Sequence, residues 1–159
     1  LFDYQRWITQ MAFDAKRFAI WADCGLGKSP MQLEWARQVR SVSPQGRVLI
    51  MAPIEVCRQT IEEARKFYGE SGPIPTLLKT RKELEEFCRS DNAGLAITNY
   101  EKLIDGPCDH MRWLSGLVLD ESSILKGGGG CIKWTLIKSA KGIEYKLSCT
   151  ATPAPNDTM

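Results

Sequence analysis

The sequence predicts an α/β domain, a mostly parallel sheet with helices on both faces. Three observations carry that prediction. Short, continuous apolar runs alternate with segments of helical periodicity. The runs lack apolar–polar alternation, the mark of strands buried on both faces. Polar or glycine-rich residues follow them after Ala22, Met51, Ile97, Leu119 and Leu147. Those are strand carboxyl ends, where open parallel sheets bind ligands.

Each element has its own signal. Trp7, Ile8, Met11, Ala12 and Ala15 recur at helical spacing and predict a helix over Tyr4–Arg17. Phe18–Ala22 is a short apolar strand. A glycine-rich turn follows, and Pro30 sits in the first turn of the next helix, where its missing N–H is tolerated. That helix continues through Met31, Leu33, Glu34, Trp35, Ala36 and Val39, and Ser41–Gly46 is a loop. Val48–Ala52 is a second strand, stopped by Pro53, and a helix is predicted over Glu55–Tyr68. A turn at Glu70–Pro75 leads to a weak strand, Thr76–Leu78, and a polar helix, Lys82–Arg89. Strands follow at Gly94–Thr98 and Leu117–Leu119, then a helix over Cys131–Ala140 and a strand over Glu144–Cys149.

Composition bounds the function. The 159 residues are 43% hydrophobic and 25% charged, enough for one domain spanning 1–159. A net charge of +2 does not argue for nucleic-acid binding by itself. Basic residues are scattered, with modest concentrations at Arg81-Lys82 and from Lys138 to Lys146. No apolar run reaches the roughly 18 residues that a membrane span needs. The start shows neither a basic-then-apolar leader nor an initiator Met, so one domain of a longer polypeptide is expected. Six cysteines without a CxxC pair, beside a single His, argue against a zinc site. Cys57 and Cys149 lie in or beside apolar segments and are expected as buried thiols. A reducing cytoplasm is the expected setting.

Two segments carry chemistry. Gly25-Leu26-Gly27-Lys28-Ser29 follows a strand and opens a helix. Gly25 and Gly27 let backbone N–H groups turn toward phosphates, and the helix adds the positive end of its dipole. Lys28 is placed to reach β and γ phosphates, and Ser29 to ligate magnesium. Ala22 stands where the strict phosphate-loop pattern has its first glycine. The second segment, Asp120-Glu121-Ser122-Ser123, follows an apolar strand directly. Adjacent carboxylates repel unless a cation or donor offsets them, and magnesium gives Asp120 that reason. Glu121 then serves as base or water-positioner. A plain glycine turn and a helix start rich in Asp, Glu and Ser are the structural alternatives.

The full set of segments resembles the first RecA-like motor domain of superfamily 2 helicases. It is nearest the Snf2-like branch and its phage or prophage members of DEAD/DEAH type. Asp23-Cys24-Gly25-Leu26-Gly27-Lys28-Ser29 resembles motif I, usually D-x-G-L-G-K-T. Tyr4-Gln5-Arg6-Trp7 resembles the upstream segment whose Gln contacts adenine. Leu49–Pro53 resembles motif Ia, and Ile97–Glu101 the segment that touches the nucleic-acid backbone. Asp120–Ser123 stands at motif II, and Leu147–Pro153 resembles motif III.

The resemblance implies a RecA-like P-loop NTPase fold and ATP with Mg2+ as cofactors. It implies nucleotide contacts at Gln5, Gly25, Leu26, Gly27, Lys28 and Ser29, metal ligation by Ser29 and Asp120, and catalysis by Glu121, Lys28 and Asp120. It implies nucleic-acid contacts at Pro53, Arg58, Thr98 and Asn99, and coupling through Ser148, Thr150 and Thr152. The implied partners are DNA, duplex favoured over single strand with RNA left open, and a second RecA-like domain of the same polypeptide. That second domain carries the arginine finger, so this domain alone is expected to hydrolyse ATP poorly. Gly127–Gly130 departs from the family pattern, and its ordering costs much backbone entropy. A mobile loop or a non-native stretch is expected there. A small P-loop kinase or GTPase is disfavoured, because neither an Asn-Lys-x-Asp segment nor an arginine-rich lid is present. The alternative is a non-catalytic P-loop scaffold or nucleic-acid-binding domain.

Overall fold

Lys16 ends the first helix by taking a left-handed backbone, φ +61°. Helix α1 therefore covers Asp3–Asp14, shorter than its periodicity predicts, and strand β1, Arg17–Trp21, begins at once. The computed structural model describes residues 1–23, 25–43, 45–70, 72–122 and 130–151. Gly127–Gly129 and Thr152, about which the sequence raised expectations, lie outside the described residues.

The following elements keep the predicted order. They are α2 (Lys28–Val42), β2 (Arg47–Ala52), α3 (Ile54–Tyr68), β3 (Thr76–Leu77), α4 (Arg81–Arg89), β4 (Gly94–Asn99), β5 (Gly116–Leu119), α5 (Gly130–Ser139) and β6 (Tyr145–Thr150). Two short 3-10 turns, Tyr100–Leu103 and Asp109–Trp113, bridge β4 and β5. Arg81 pins that bridge to α4: its guanidinium donates to the carbonyls of Lys102, Gly106 and Pro107 at 2.7 to 2.9 Å. Among the described residues no helix is long and apolar enough to cross a membrane.

The sheet has six strands in the order β1-β6-β5-β2-β4-β3, and every pair is parallel. Successive side chains on a strand point to opposite faces. Val48, Ile50 and Ala52 of β2 thus join a core with Ala12, Met31, Trp35, Cys57 and Ala64. Leu49 and Met51 join the opposite core, with Leu84, Cys88, Tyr100 and Leu136. The doubly covered parallel sheet is the predicted fold class.

One expectation from apolarity is modified by position. Phe18–Ala22 reads as a buried strand, yet β1 is an edge, with Ile20 its one buried residue and Trp21 70% exposed. An edge strand has a neighbour on one side only, so half of its cover is missing. Cys57 and Cys149 are buried as expected, and burial pushes their thiols up to about 11 and about 12.

Strand order decides what meets what. The phosphate loop follows β1, the acidic pair follows β5, and β6 lies between them. Pro53 and Asn99 follow or end the neighbouring strands β2 and β4, where Ala52 is in register with Asn99. The residues predicted to bind nucleotide and those predicted to bind nucleic acid therefore occupy adjoining stretches of the sheet's carboxyl edge.

Candidate nucleotide site

The loop leaves β1 still paired to β6, with the Ala22 N–H donating to Thr150 O at 3.2 Å. Gly25 and Gly27 then take left-handed backbones, φ +85° and +75°. Gly27 caps α2 and offers no side chain to its first-turn N–H groups. Those donors, with the helix dipole behind them, form an anion seat. The Lys28 ammonium lies over the same loop and donates to Ala22 O at 2.8 Å and Asp23 O at 3.3 Å. Ser29 is half-buried beside it, and Leu26 is 47% exposed.

Gln5 supports this loop from α1. It is buried; its Nε2 donates to Leu26 O at 3.1 Å and its Oε1 accepts the Phe2 N–H at 2.9 Å. The Tyr4 hydroxyl reaches the same Leu26 carbonyl at 3.3 Å. A Cβ on Gly27 would stand 2.2 Å from Gln5 Nε2. A side chain at the second glycine would therefore have to displace the Gln5 amide, in addition to the strain of its backbone.

The acidic pair is built at the end of β5. The Asp120 N–H continues the ladder to Met51 O at 2.8 Å. Tyr100 donates its hydroxyl to Asp120 O at 2.7 Å. Asp120 Oδ1 accepts from Gln32 Nε2 at 2.7 Å and from the Glu121 N–H at 3.0 Å. Burial pushes the Asp120 carboxyl up from its ordinary range, and the donors from Gln32 and Glu121 oppose that shift. Glu121 itself sits at φ +51°, a left-handed backbone that a β-carbon disfavours. Backbone strain of this kind is concentrated at functional sites.

These parts converge. A cleft of about 530 Å³ is lined by Gly25, Gly27, Lys28, Ser29, Asp120 and Glu121, with α3 as the opposite wall. Across β6, the Thr150 hydroxyl stands 3.3 Å from Glu121 Oε1. Ser148 lies in register with Leu119, and its hydroxyl makes no hydrogen bond to the acidic pair. Of the three predicted coupling hydroxyls, Thr150 alone is seen against the pair; Thr152 falls outside the described residues.

The predicted nucleic-acid residues divide. Pro53 caps α3 half-buried and Arg58 is exposed one turn along it. Thr98 is fully buried and its hydroxyl donates to Leu78 O at 2.9 Å. Asn99 is 4% exposed, with its Nδ2 on Glu101 Oε2 at 3.1 Å.

Sequence reasoning missed Gln32. Its signal was present: Gln32, Trp35, Ala36 and Val39 follow helical spacing, and an amide opens an otherwise apolar buried stripe. A polar residue at such a position needs a partner, and here it is Asp120, 88 residues away.

Comparison with known proteins agrees with this architecture. Residues 3–154 match the family described as ResIII, type III restriction enzyme, res subunit. Protein p41 of Acyrthosiphon pisum secondary endosymbiont phage 1 is 29% identical over 168 residues, covering 98% of this chain. The chain spans 36% of that relative's length. The Sulfolobus solfataricus SWI2/SNF2 ATPase core in complex with dsDNA superposes with a TM-score of 0.69 at 19% identity, over 98% of this chain and 32% of that one. The Pyrococcus furiosus Hef helicase domain gives 0.68 at 19% identity, over 97% and 33%. With the family match covering nearly every residue and the fold shared, the chain belongs to the ResIII family, the N-terminal RecA-like domain of superfamily 2 helicases.

Proposed function

We propose that this domain is the ATP-binding half of a nucleic-acid motor that translocates on or unwinds duplex DNA. One observation carries the reading: a single cleft gathers Gly25, Gly27, Lys28 and Ser29 with Asp120 and Glu121. The residues present fit a magnesium–triphosphate group. The first-turn donors of α2 have no side-chain cap, and Lys28 adds a cation beside them. Asp120 brings a carboxylate whose Oδ2 has no hydrogen-bond partner among the described residues.

The α2 N-terminus and the loop N–H groups hold the phosphates. Lys28 exchanges two neutral carbonyls for charged phosphate oxygens, which are stronger acceptors. Ser29 and Asp120 would hold Mg2+, which would supply charge neutralisation to the phosphates. Glu121 orients the attacking water and accepts its proton. Thr150, on β6, senses the position of that carboxylate. Gln5 holds the loop in shape on the adenine side.

DNA is favoured as the track because the SWI2/SNF2 relative of this fold is a dsDNA complex. Exposed Arg58 and half-buried Pro53 form the contact edge, positioning phosphates without reading bases, while Thr98 and Asn99 are buried beneath it. A second RecA-like domain of the same polypeptide closes the cleft and supplies the arginine finger. The testing experiment is the ATPase rate of the full-length protein without nucleic acid, with single strands and with duplex. Stimulation greatest with duplex is expected. A rate indifferent to all three overturns the motor reading and favours a P-loop scaffold.

A further inference from the structure

Gln32 is the one amide inside the buried stripe of α2. It is completely buried, between Met31 and Leu33, which are equally so. An apolar side chain there would complete the core, so an amide carries a desolvation penalty that its hydrogen bonds must offset. Its Nε2 donates to Asp120 Oδ1 at 2.7 Å. Its Oε1 has no hydrogen-bond partner among the described residues. The amide is thus held by its donor end, and that end faces the acid at the end of β5.

The consequence falls on one carboxylate. Gln32 Nε2 and the Glu121 N–H both bond Oδ1, leaving Oδ2 as the Asp120 oxygen without a partner among the described residues. Tyr100 fixes the Asp120 carbonyl from the opposite core. A carboxylate held at its carbonyl and at one oxygen cannot turn about its side-chain bonds without breaking a buried hydrogen bond. Lys28 and Ser29 begin the same helix that carries Gln32, so one rigid element sets the phosphate loop and the orientation of Asp120 together.

We infer that Gln32 is a positioning residue that presents Asp120 Oδ2 to a divalent cation and so sets the metal affinity of the cleft. The inference rests on the nucleotide-site reading above. Outer partners that orient a ligand typically change metal affinity about 10-fold to 100-fold when removed.

The test uses the full-length protein with Gln32→Leu and, as a second apolar variant of similar length, Gln32→Met. Thermal melting establishes that each is folded. Binding of Mn2+ in the presence of ADP is followed by loss of the free-ion paramagnetic resonance signal. Mg2+ dependence of ATP turnover is measured in parallel. Weakening of Mn2+ binding by about tenfold or more is expected in either folded variant. The half-saturating Mg2+ concentration should rise by a similar factor, and turnover at saturating Mg2+ should recover most of the wild-type value. Unchanged Mn2+ binding, or a fall in turnover that Mg2+ does not restore, overturns the inference. A wild-type protein that binds neither ADP nor metal instead overturns the nucleotide-site reading, and this inference with it.

Discussion

Thr150 Oγ1 lies 3.3 Å from Glu121 Oε1, bridging the ends of two adjacent parallel strands. Glu121 holds a left-handed backbone at that point, φ +51°. The side chain predicted to position water is therefore fixed by a contact from a different segment of the chain. Thr150→Val keeps the shape and removes the hydroxyl, so duplex-stimulated ATP turnover should fall several-fold. Thr150→Ser should retain most of it. Equal stimulation in wild type and Thr150→Val would show that the contact carries no coupling.

Removing Lys28 or the Glu121 charge separates binding from turnover. Lys28→Ala should abolish hydrolysis and weaken ATP binding, because the phosphates lose their nearest cation. Glu121→Gln should abolish hydrolysis while ATP stays bound. Equilibrium binding of a fluorescent ATP analogue beside turnover rates distinguishes the two. Normal turnover in either variant would remove its assigned role.

The left-handed Glu121 implies a trade between stability and activity. A glycine there relieves strain of about 1 kcal/mol, offset in part by the greater freedom of the unfolded chain. Glu121→Gly should thus be at least as stable as wild type in urea titration while losing turnover. A clear loss of stability would show that the Glu121 side chain, through contacts such as that from Thr150, matters more than its backbone strain.

The two loop glycines are not equivalent. Both have positive φ, but a Cβ on Gly25 meets nothing within 4 Å, whereas one on Gly27 meets Gln5 Nε2 at 2.2 Å. Gly27→Ala should disrupt nucleotide binding and displace Gln5 from Leu26, with Gly25→Ala the milder change. Nucleotide affinity and melting temperature of the pair decide the point.

Glu34 gives the acid side of the stability profile. Hydrogen bonds from Arg37 foremost, and from Tyr68, hold its carboxyl below the ordinary 4.5 against the effect of burial. Tyr68 in turn is pushed up to about 12 by burial and the neighbouring carboxylate. A carboxyl with a depressed folded-state pKa contributes stability that is present above its unfolded value and lost as pH falls through the folded one. Glu34→Gln should therefore melt lower than wild type at pH near 7 and approach it near pH 3. A constant difference across that range would exclude the ionised contact as the cause.

Much of this molecule was legible in local pattern. The apolar runs, the glycine turn and the strand-end acids are consequences of neighbouring residues, because buried parallel strands need continuous apolarity and phosphate loops need glycine. Element boundaries were less legible: Lys16 turns left-handed, and no residue type announced it. Thr98 illustrates a different gap. Its place at a strand end was clear, but its hydroxyl is spent on Leu78 inside the sheet.

The sequence by itself determined the order of elements, the glycine-rich loop and the identity of the acidic pair, since each follows from short-range spacing. Tertiary structure decided the order β1-β6-β5-β2-β4-β3, which sets the loop and the acids on either side of β6. It also decided that β1 is an edge that exposes Trp21, and that the Gln32 amide meets Asp120 across 88 residues. Strand order and such long-range hydrogen bonds depend on which surfaces pack together, and local periodicity carries no record of that choice.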